Sequence, residues 1–271
     1  ATSAALGRLR AYFQDDLMVQ TGRSMLLTSH AEDLVQPVRD ILLRAESIAK
    51  HSSGFDPATA VRTFRLKMSD YVASVLMPDL VQTVRKLAPG VTLDIQSNHH
   101  GAVESLERGE VDLLIMPQQY LSKDHPSEVL FEDSYVCAVW SGNRLVGRRM
   151  TPELYWSLPH GAVKYSELQM PILEEWLASH HGRRRRIVVL SMAFSLLPQL
   201  IVGTDLVATM HARLARKFAA DLPLRLLASP LEMPKLVECA QWHRYRSLDP
   251  GVQWLRSLLV AVTASPRRRR K

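Results

Sequence analysis

Residues 108–116 read Arg108-Gly109-Glu110-Val111-Asp112-Leu113-Leu114-Ile115-Met116. Within it, VDLLIM (111–116) is a nearly continuous apolar run with no alternation of apolar and polar positions. A strand with one face in water alternates; a strand covered on both faces does not, and that is the habit of parallel sheets.

Working outward, strand and helix signals alternate. Upstream, Arg62 to Ser69 reads as a strand and Val72 to Leu87 as a helix closed by Pro89-Gly90. Val91 to Gln96 reads as a strand and Ala102 to Arg108 as a helix. Downstream, Val129 to Trp140 gives one or two strands. Thr151 to Leu158 reads as a short helix with Thr151 as cap and Pro152 in its first position. Gly161 to Lys164 is a strand, Pro171 to His180 a helix, Arg186 to Leu190 a strand and Phe194 to Val202 a helix. Leu206 to Met210 is a strand, Ala212 to Ala219 a helix, and Leu224 to Ala228 and Leu236 to Gln241 are strands. A last helix opens at Asp249-Pro250 and runs to about Ala264.

Repeated β-α-β units predict parallel sheet with helices on both faces. The order divides into two similar halves, 62–140 and 150–230, and the late strand 236–241 is free to return to the first. Two such lobes leave a cleft, with ligands expected at strand carboxyl ends near helix N-termini.

The N-terminal quarter follows other rules. Residues 2–13 pair apolar Ala5, Leu6, Leu9 and Phe13 with Arg8 and Arg10, a helical pattern. Thr21-Gly22-Arg23 is a turn between Leu17–Val19 and Met25–Leu27, predicting a short hairpin with a basic tip. From 29 to 50, apolar residues fall at Ala31, Leu34, Val38, Ile41, Ala45 and Ile48, the seam of a coiled coil widened by Val35, Leu42 and Ala49. Pro37 lies within it. HSSGFDPATA (51–60) gathers Ser, Gly and Pro and marks a domain boundary.

Bulk composition is that of a globular protein: 271 residues, 46% hydrophobic and 23% charged. No apolar stretch is long enough to span a membrane. Two distant cysteines, Cys137 and Cys239, make neither a metal site nor a disulfide framework, which suits a reducing cytoplasm. The formal charge of +7 suits a polyanion partner such as DNA. Much of it comes from Arg183–Arg186 and the tail Arg267–Lys271, and runs of that kind are usually solvated. No G-x-S-x-G elbow, P-loop or H-E-x-x-H is present, so no enzyme class is indicated and no cofactor is expected.

These residues carry a family resemblance. Ser3-Ala4-Ala5-Leu6-Gly7-Arg8-Leu9-Arg10, Asp16-Leu17, Gly22-Arg23 and Leu27-Thr28 are similar to the LysR-family signature. Phe64-Arg65-Leu66 with Ser69-Asp70-Tyr71, and Arg108-Gly109-Glu110-Val111-Asp112-Leu113, resemble that family's sensor domain. Within the family, Phe55-Asp56-Pro57, His125-Pro126, Glu174-Glu175-Trp176, Arg213-Leu214-Ala215-Arg216, Pro223-Leu224-Arg225, Gln241-Trp242 and Asp249-Pro250 are similar to the NodD branch of nodulation regulators. Met18 stands where the family has Phe, and His30 where a Gly is common. The resemblance implies an α/β architecture: a partial winged helix-turn-helix, a long linker helix, then a two-lobed sensor like a periplasmic binding protein. It implies double-stranded promoter DNA as partner, an activator responding to a small aromatic or flavonoid inducer, a homodimer or a tetramer built as a dimer of dimers, and RNA polymerase as a further contact. The expected division is 1–28 for the end of the DNA-binding domain, whose first helices are expected to be absent, 29–50 for the linker helix and 51–61 for a hinge. The sensor follows over 62–265, with lobe one at 62–140 and 233–265, lobe two at 141–232, and a basic tail at 266–271.

Candidate DNA contacts are Thr2, Ser3, Arg8 and Arg10 on the recognition helix and Arg23 on the wing, with a solvated helix face as the competing reading. Candidate ligand contacts sit at predicted strand ends. Asp70 and Tyr71 follow the first strand, with a simple helix cap as the rival for Asp70. Asn98, His99 and His100 follow the second; adjacent loop histidines rarely share one ion, so no metal is expected. Lys164 and Tyr165 end a strand of the second lobe. Phe194 and Ser195 open a helix, and Thr209-Met210-His211 ends the next strand, with Thr209 and Met210 as candidates. Core packing is the rival for Phe194 and Met210. Two alternatives stay open: a regulator of aromatic catabolism answering a phenolic acid, and a solute-binding protein of a transporter. Residues 2–50 separate the latter, because a transport receptor has no use for a basic hairpin and a seam helix.

Overall fold

The computed structural model describes residues 2–99, 101–164 and 172–264. Helix α1 (Thr2–Phe13) leads into a hairpin of β1 (Met18–Thr21) and β2 (Ser24–Leu27), paired Met18 to Leu27 through Thr21 to Ser24. Gly22 supplies the positive φ the tight turn requires. Asp15 ties this head to the next helix: its Oδ1 accepts from the Leu17 amide at 2.6 Å and from the Thr28 hydroxyl at 2.6 Å. Thr28 in turn caps α2 (Ser29–Ser53) by accepting from the Ala31 amide. The helix continues through Pro37 and ends at Ser53, three residues later than the sequence pattern indicates, with Gly54 as its C-cap.

From Val38 onward the predicted seam of α2 lies bare along the single chain, whereas Ala31 is buried and Leu34 and Val35 are half-buried. Val38, Ile41, Leu42 and Ile48 are exposed, Ile41 by 67%, while the opposite side buries Leu43 and Ser47 against the protein's own lobe. Spacings of three and four place the exposed set on one face.

The first lobe holds β3 (Arg62–Met68), α3 (Asp70–Leu87), β4 (Val91–Ser97), α4 (Ala102–Glu107), β5 (Leu113–Pro117) and β6 (Ser127–Asp133). The second holds β7 (Tyr135–Trp140), α5 (Pro152–Ser157), β8 (Pro159–Val163), α6 (Ile172–His181), β9 (Arg186–Ser191), α7 (Leu197–Leu200), β10 (Val207–His211), α8 (Ala212–Phe218) and β11 (Leu224–Ala228). The chain then returns through β12 (Leu236–Gln241) and α9 (Pro250–Ala264) to the first. Strand order is β4-β3-β5-β12-β6 in one sheet and β11-β7-β10-β8-β9 in the other.

The all-parallel expectation needs correction. β3 is parallel to β4 and β5, and β8 to β9 and β10, but β12 runs antiparallel to β5 and β6, and β7 antiparallel to β10 and β11. The reversed strands are those that arrive from the other lobe. For the same reason the lobe boundary moves from 140 to Ser134, because Tyr135–Trp140 pairs only within the second sheet. A third correction concerns 194–202: only Leu197–Leu200 is helical, and Phe194 and Ser195 precede it in a loop. Apolar packing is unbroken from Phe64, Leu66 and Leu80 in the first lobe to Leu197, Met210 and Leu214 in the second.

Candidate effector cleft

Strand β3 delivers the chain to the mouth of the cleft, and α3 begins there. Ser69 caps α3, its hydroxyl accepting from the Val72 amide at 3.2 Å. Asp70 is thereby released from capping, and its carboxylate reaches the second lobe. There Oδ1 accepts from the Phe194 amide at 3.1 Å and Oδ2 from the Ser195 amide at 2.7 Å. Tyr71 is 1% exposed, and its hydroxyl donates to Asp133 Oδ2 at 2.7 Å. That oxygen also receives the Arg213 amide, while Asp133 Oδ1 receives the amide of Ser134. Asp133 thus fastens the crossover to α3 on one side and α8 on the other.

Between the sheets lies a cavity of about 80 Å³. Its wall is aromatic. Tyr71, Tyr120, Tyr135 and Phe194 line it, and the His211 ring sits 4.2 Å from the Tyr71 ring, 4.8 Å from Tyr135 and 5.2 Å from Phe194, centroid to centroid. The polar groups are few and underused. Arg185 is buried and donates through Nε to Glu174 Oε1 at 2.7 Å, and through Nη2 to the same oxygen. Arg185 Nη1, Glu238 Oε2 and His211 Nδ1 are buried without a hydrogen-bond partner among the described residues. Unsatisfied buried polar atoms cost free energy in an empty protein, so a cluster of them around a cavity invites a hydrogen-bonding occupant.

Electrostatics leaves the cavity near neutrality. Burial, helped by the negative charge of Asp133, pushes the Glu238 carboxyl up to about 8. Burial alone outweighs two nearby acids to bring the His211 imidazole down to about 4. Burial, then the charge of Asp133, raises the Tyr71 phenol. At pH 7 the lining therefore offers a protonated acid, a neutral imidazole and phenols, with the Arg185 cation already matched by Glu174.

A pH dependence of stability follows. The folded chain holds a proton on Glu238 that the unfolded chain releases, so this contribution is full below pH 4.5 and is lost as pH rises towards about 8. His211, and His160 at about 3, act in the opposite sense: their contribution is present above 6.5 and is lost on acidification. Stability should peak near pH 6.5 and fall towards pH 8. Glu238→Gln should flatten the alkaline fall, whose limiting slope is about 1.4 kcal/mol per pH unit for one proton. Urea midpoints at pH 6.5 and 8 measure it; an equal fall in the variant would remove Glu238 from the account.

The expected site residues divide. Tyr71, Phe194, Thr209 and Met210 line the cavity. Asp70 and Ser195 form the clasp at its rim. Asn98 is buried with its amide on the Met68 carbonyl, the His99 amide donates to Ser97 Oγ, and the Lys164 amide donates to the Ser191 carbonyl; none of the three lines the cavity. His100 and Tyr165 lie outside the described residues. Sequence reasoning passed over Tyr120, Tyr135, Arg185 and Glu238. Tyr135 and Glu238 stand on the two reversed strands. Arg185 lies in the run Arg183–Arg186, expected as a solvated face: Arg183, Arg184 and Arg186 are exposed, and the exception is Arg185, buried in its ion pair with Glu174.

On the head, Ser3, Arg8 and Arg23 are exposed, and Arg23 stands at the hairpin tip. Arg10 is engaged within the head, donating through Nε to the Asp16 carbonyl at 2.7 Å and through Nη2 to the Met18 carbonyl at 3.1 Å. Thr2 begins α1.

The LysR substrate binding domain is matched over residues 58–264. The chain belongs to the LysR family. Nodulation protein D 2 of Rhizobium tropici is 39% identical over 270 residues, covering 98% of this chain and 86% of that protein. Nodulation protein D 1 of Bradyrhizobium diazoefficiens is 38% identical over 260 residues, covering 96% and 83%. A probable transcriptional regulator of Pseudomonas aeruginosa superposes with a TM-score of 0.74 at 26% identity, covering 96% of this chain and 86% of that one. The regulatory domain of MexT, a transcriptional activator of the same organism, gives 0.67 at 26% identity, covering 76% of this chain and all of that one. The LysR-family chain is accordingly a ligand-responsive transcription regulator of the nodulation type, and the transporter alternative is not favoured. No helix among the described residues is long and apolar enough to cross a membrane.

Proposed function

We propose that the chain is a cytoplasmic activator whose cleft takes a small aromatic inducer of the flavonoid class. The observation that carries this reading is the inter-lobe cavity, with four aromatic residues and three buried, unpartnered polar atoms around it. An aromatic wall with few polar groups is the general recipe for a small apolar ligand with hydroxyl substituents. Residues 1–28 act as the end of the DNA-binding head, in which Thr2, Ser3, Arg8 and Arg23 meet promoter DNA. The exposed seam of α2 pairs with a second copy, and two such dimers form the tetramer, which engages RNA polymerase at the promoter.

The cavity's size gives the mechanism its direction. At about 80 Å³ it is far below the roughly 300–1,000 Å³ of sites that hold drug-sized ligands. A three-ring flavonoid enters only if the lobes part, so it binds an open state better than this one and shifts the population towards it. Lobe 1 contacts α2, so the change reaches the heads.

Calorimetric titration with a trihydroxyflavone tests the reading. Saturable binding is expected, with a thermal stabilisation of about 2.7 kcal/mol at one hundred times Kd. Absence of both heat and thermal shift with flavones and simple phenols alike would sink it.

A further inference from the structure

Asp70 does something no capping residue needs to do. Its two oxygens meet the two successive amides of Phe194 and Ser195 across the cleft, one oxygen to each, at 3.1 and 2.7 Å. Two backbone N–H groups held side by side at the rim of a cavity are an anion cradle, and a free carboxylate would satisfy them with the same geometry. Here the first lobe itself supplies the carboxylate. Ser69 caps α3, so the contact is not a by-product of starting that helix.

The rest of the cavity agrees. Behind the clasp stand Glu238, 2% exposed, and Asp133, already the acceptor for three donors. Arg185, the buried cation of the lining among the described residues, is matched by Glu174 through Nε and Nη2, and its Nη1 has no hydrogen-bond partner there. A second carboxylate entering this site would find its amides taken and the Asp133 carboxylate behind them.

We propose that Asp70 sets the charge selectivity of the cleft: by occupying the Phe194 and Ser195 amides it takes the place of an effector's carboxylate, and the site accepts uncharged hydroxylated aromatics instead. This rests on the reading of the cleft as the effector site. In it Asp70 is a specificity-determining residue, and the free Nη1 of Arg185 and the unpartnered atoms of Glu238 and His211 serve a ligand's hydroxyl and carbonyl groups.

The test compares a matched pair, para-hydroxybenzoate and para-hydroxybenzamide, with a trihydroxyflavone as reference, on wild type, Asp70→Ala and Asp70→Asn. Wild type should bind the flavone and favour the amide over the acid. Asp70→Ala empties the cradle, and its preference should move at least tenfold towards the acid. Asp70→Asn keeps one acceptor near the amides and loses the charge, so it should move less; being nearly isosteric, it also keeps the comparison usable should the alanine variant fold poorly. Flavone binding to wild type with an unchanged acid-to-amide ratio in both variants overturns the role of Asp70 and leaves the effector reading standing. Failure of all three compounds on wild type and variants overturns both.

Discussion

Asp112→Ala is expected to lower the unfolding free energy by about 3–5 kcal/mol, because it strips a buried ion network of its central carboxylate. Asp112 is 4% exposed. Its Oδ2 accepts from the Arg65 amide at 2.8 Å, and its Oδ1 from Arg246 Nη1 and from Arg62 Nη2 at 3.4 Å. Arg62 retains Asp249, which it grips with both Nη1 and Nη2 at 2.7 and 2.8 Å. Arg246 keeps the Gly109 carbonyl at 2.8 Å and loses its bond to a carboxylate oxygen of Asp112. The consequence reaches the linker, because the turn Arg244–Arg246 is one of the surfaces on which α2 rests. There Arg244 pairs with Asp40 at 3.5 Å, and Arg44 lies 6.0 Å from the Tyr245 ring. Leu43 packs against Gly109, whose positive φ and lack of a side chain let the helix approach; a methyl group there would collide with Leu43. Chemical denaturation measures the loss, and a thermal midpoint lower by about 10 °C is the corresponding shift for a domain of this size. Asp112→Asn, which keeps an acceptor for the Arg65 amide, should lose less. A wild-type midpoint in Asp112→Ala would mean that the network contributes nothing to stability.

Arg185→Met should be comparably severe, again about 3–5 kcal/mol, for a different reason. Both partners of the Arg185–Glu174 pair are almost fully covered, at 1% and 2% side-chain exposure. Removing the guanidinium leaves a carboxylate in an apolar pocket with one oxygen already unpartnered. The second substitution identifies the cause. Adding Glu174→Leu to Arg185→Met should restore most of the stability, because a buried ion pair exchanged for apolar residues of like volume is often neutral or better. If the double variant is as unstable as the single one, lost packing and not a stranded charge is responsible. Flavone affinity of the stable double variant then reports whether the free Nη1 serves the ligand.

Local rules carried the fold far. Helix caps, turn glycines and the period of apolar residues are written within a few positions of one another, so Thr151 and the Gly22 turn were legible from single stretches. Strand direction was not. β7 and β12 are apolar runs like their neighbours, and nothing in Tyr135–Trp140 or Leu236–Gln241 states that each enters the sheet of the other lobe reversed. That omission also hid Tyr135 and Glu238 from the site. Arg185 was hidden because a run of four arginines looks the same whether all four meet water or one finds a buried acid eleven residues earlier. Asp70 was legible as a residue at a strand's carboxyl end, while its partners, 124 and 125 residues away, could come only from the folded chain.

The two crossings between the sheets, at Ser134 and across 229–235, have a mechanical meaning. Two lobes joined covalently at two places have one relative motion that strains neither crossing, rotation about the line through those places. Asp133 stands at one end of that line, bonded to α3 and to α8 at once. Opening of the lobes is therefore described by one angle. A ligand that enters the cavity and a strain applied through the linker helix act on that same angle, as torques on a shared axle.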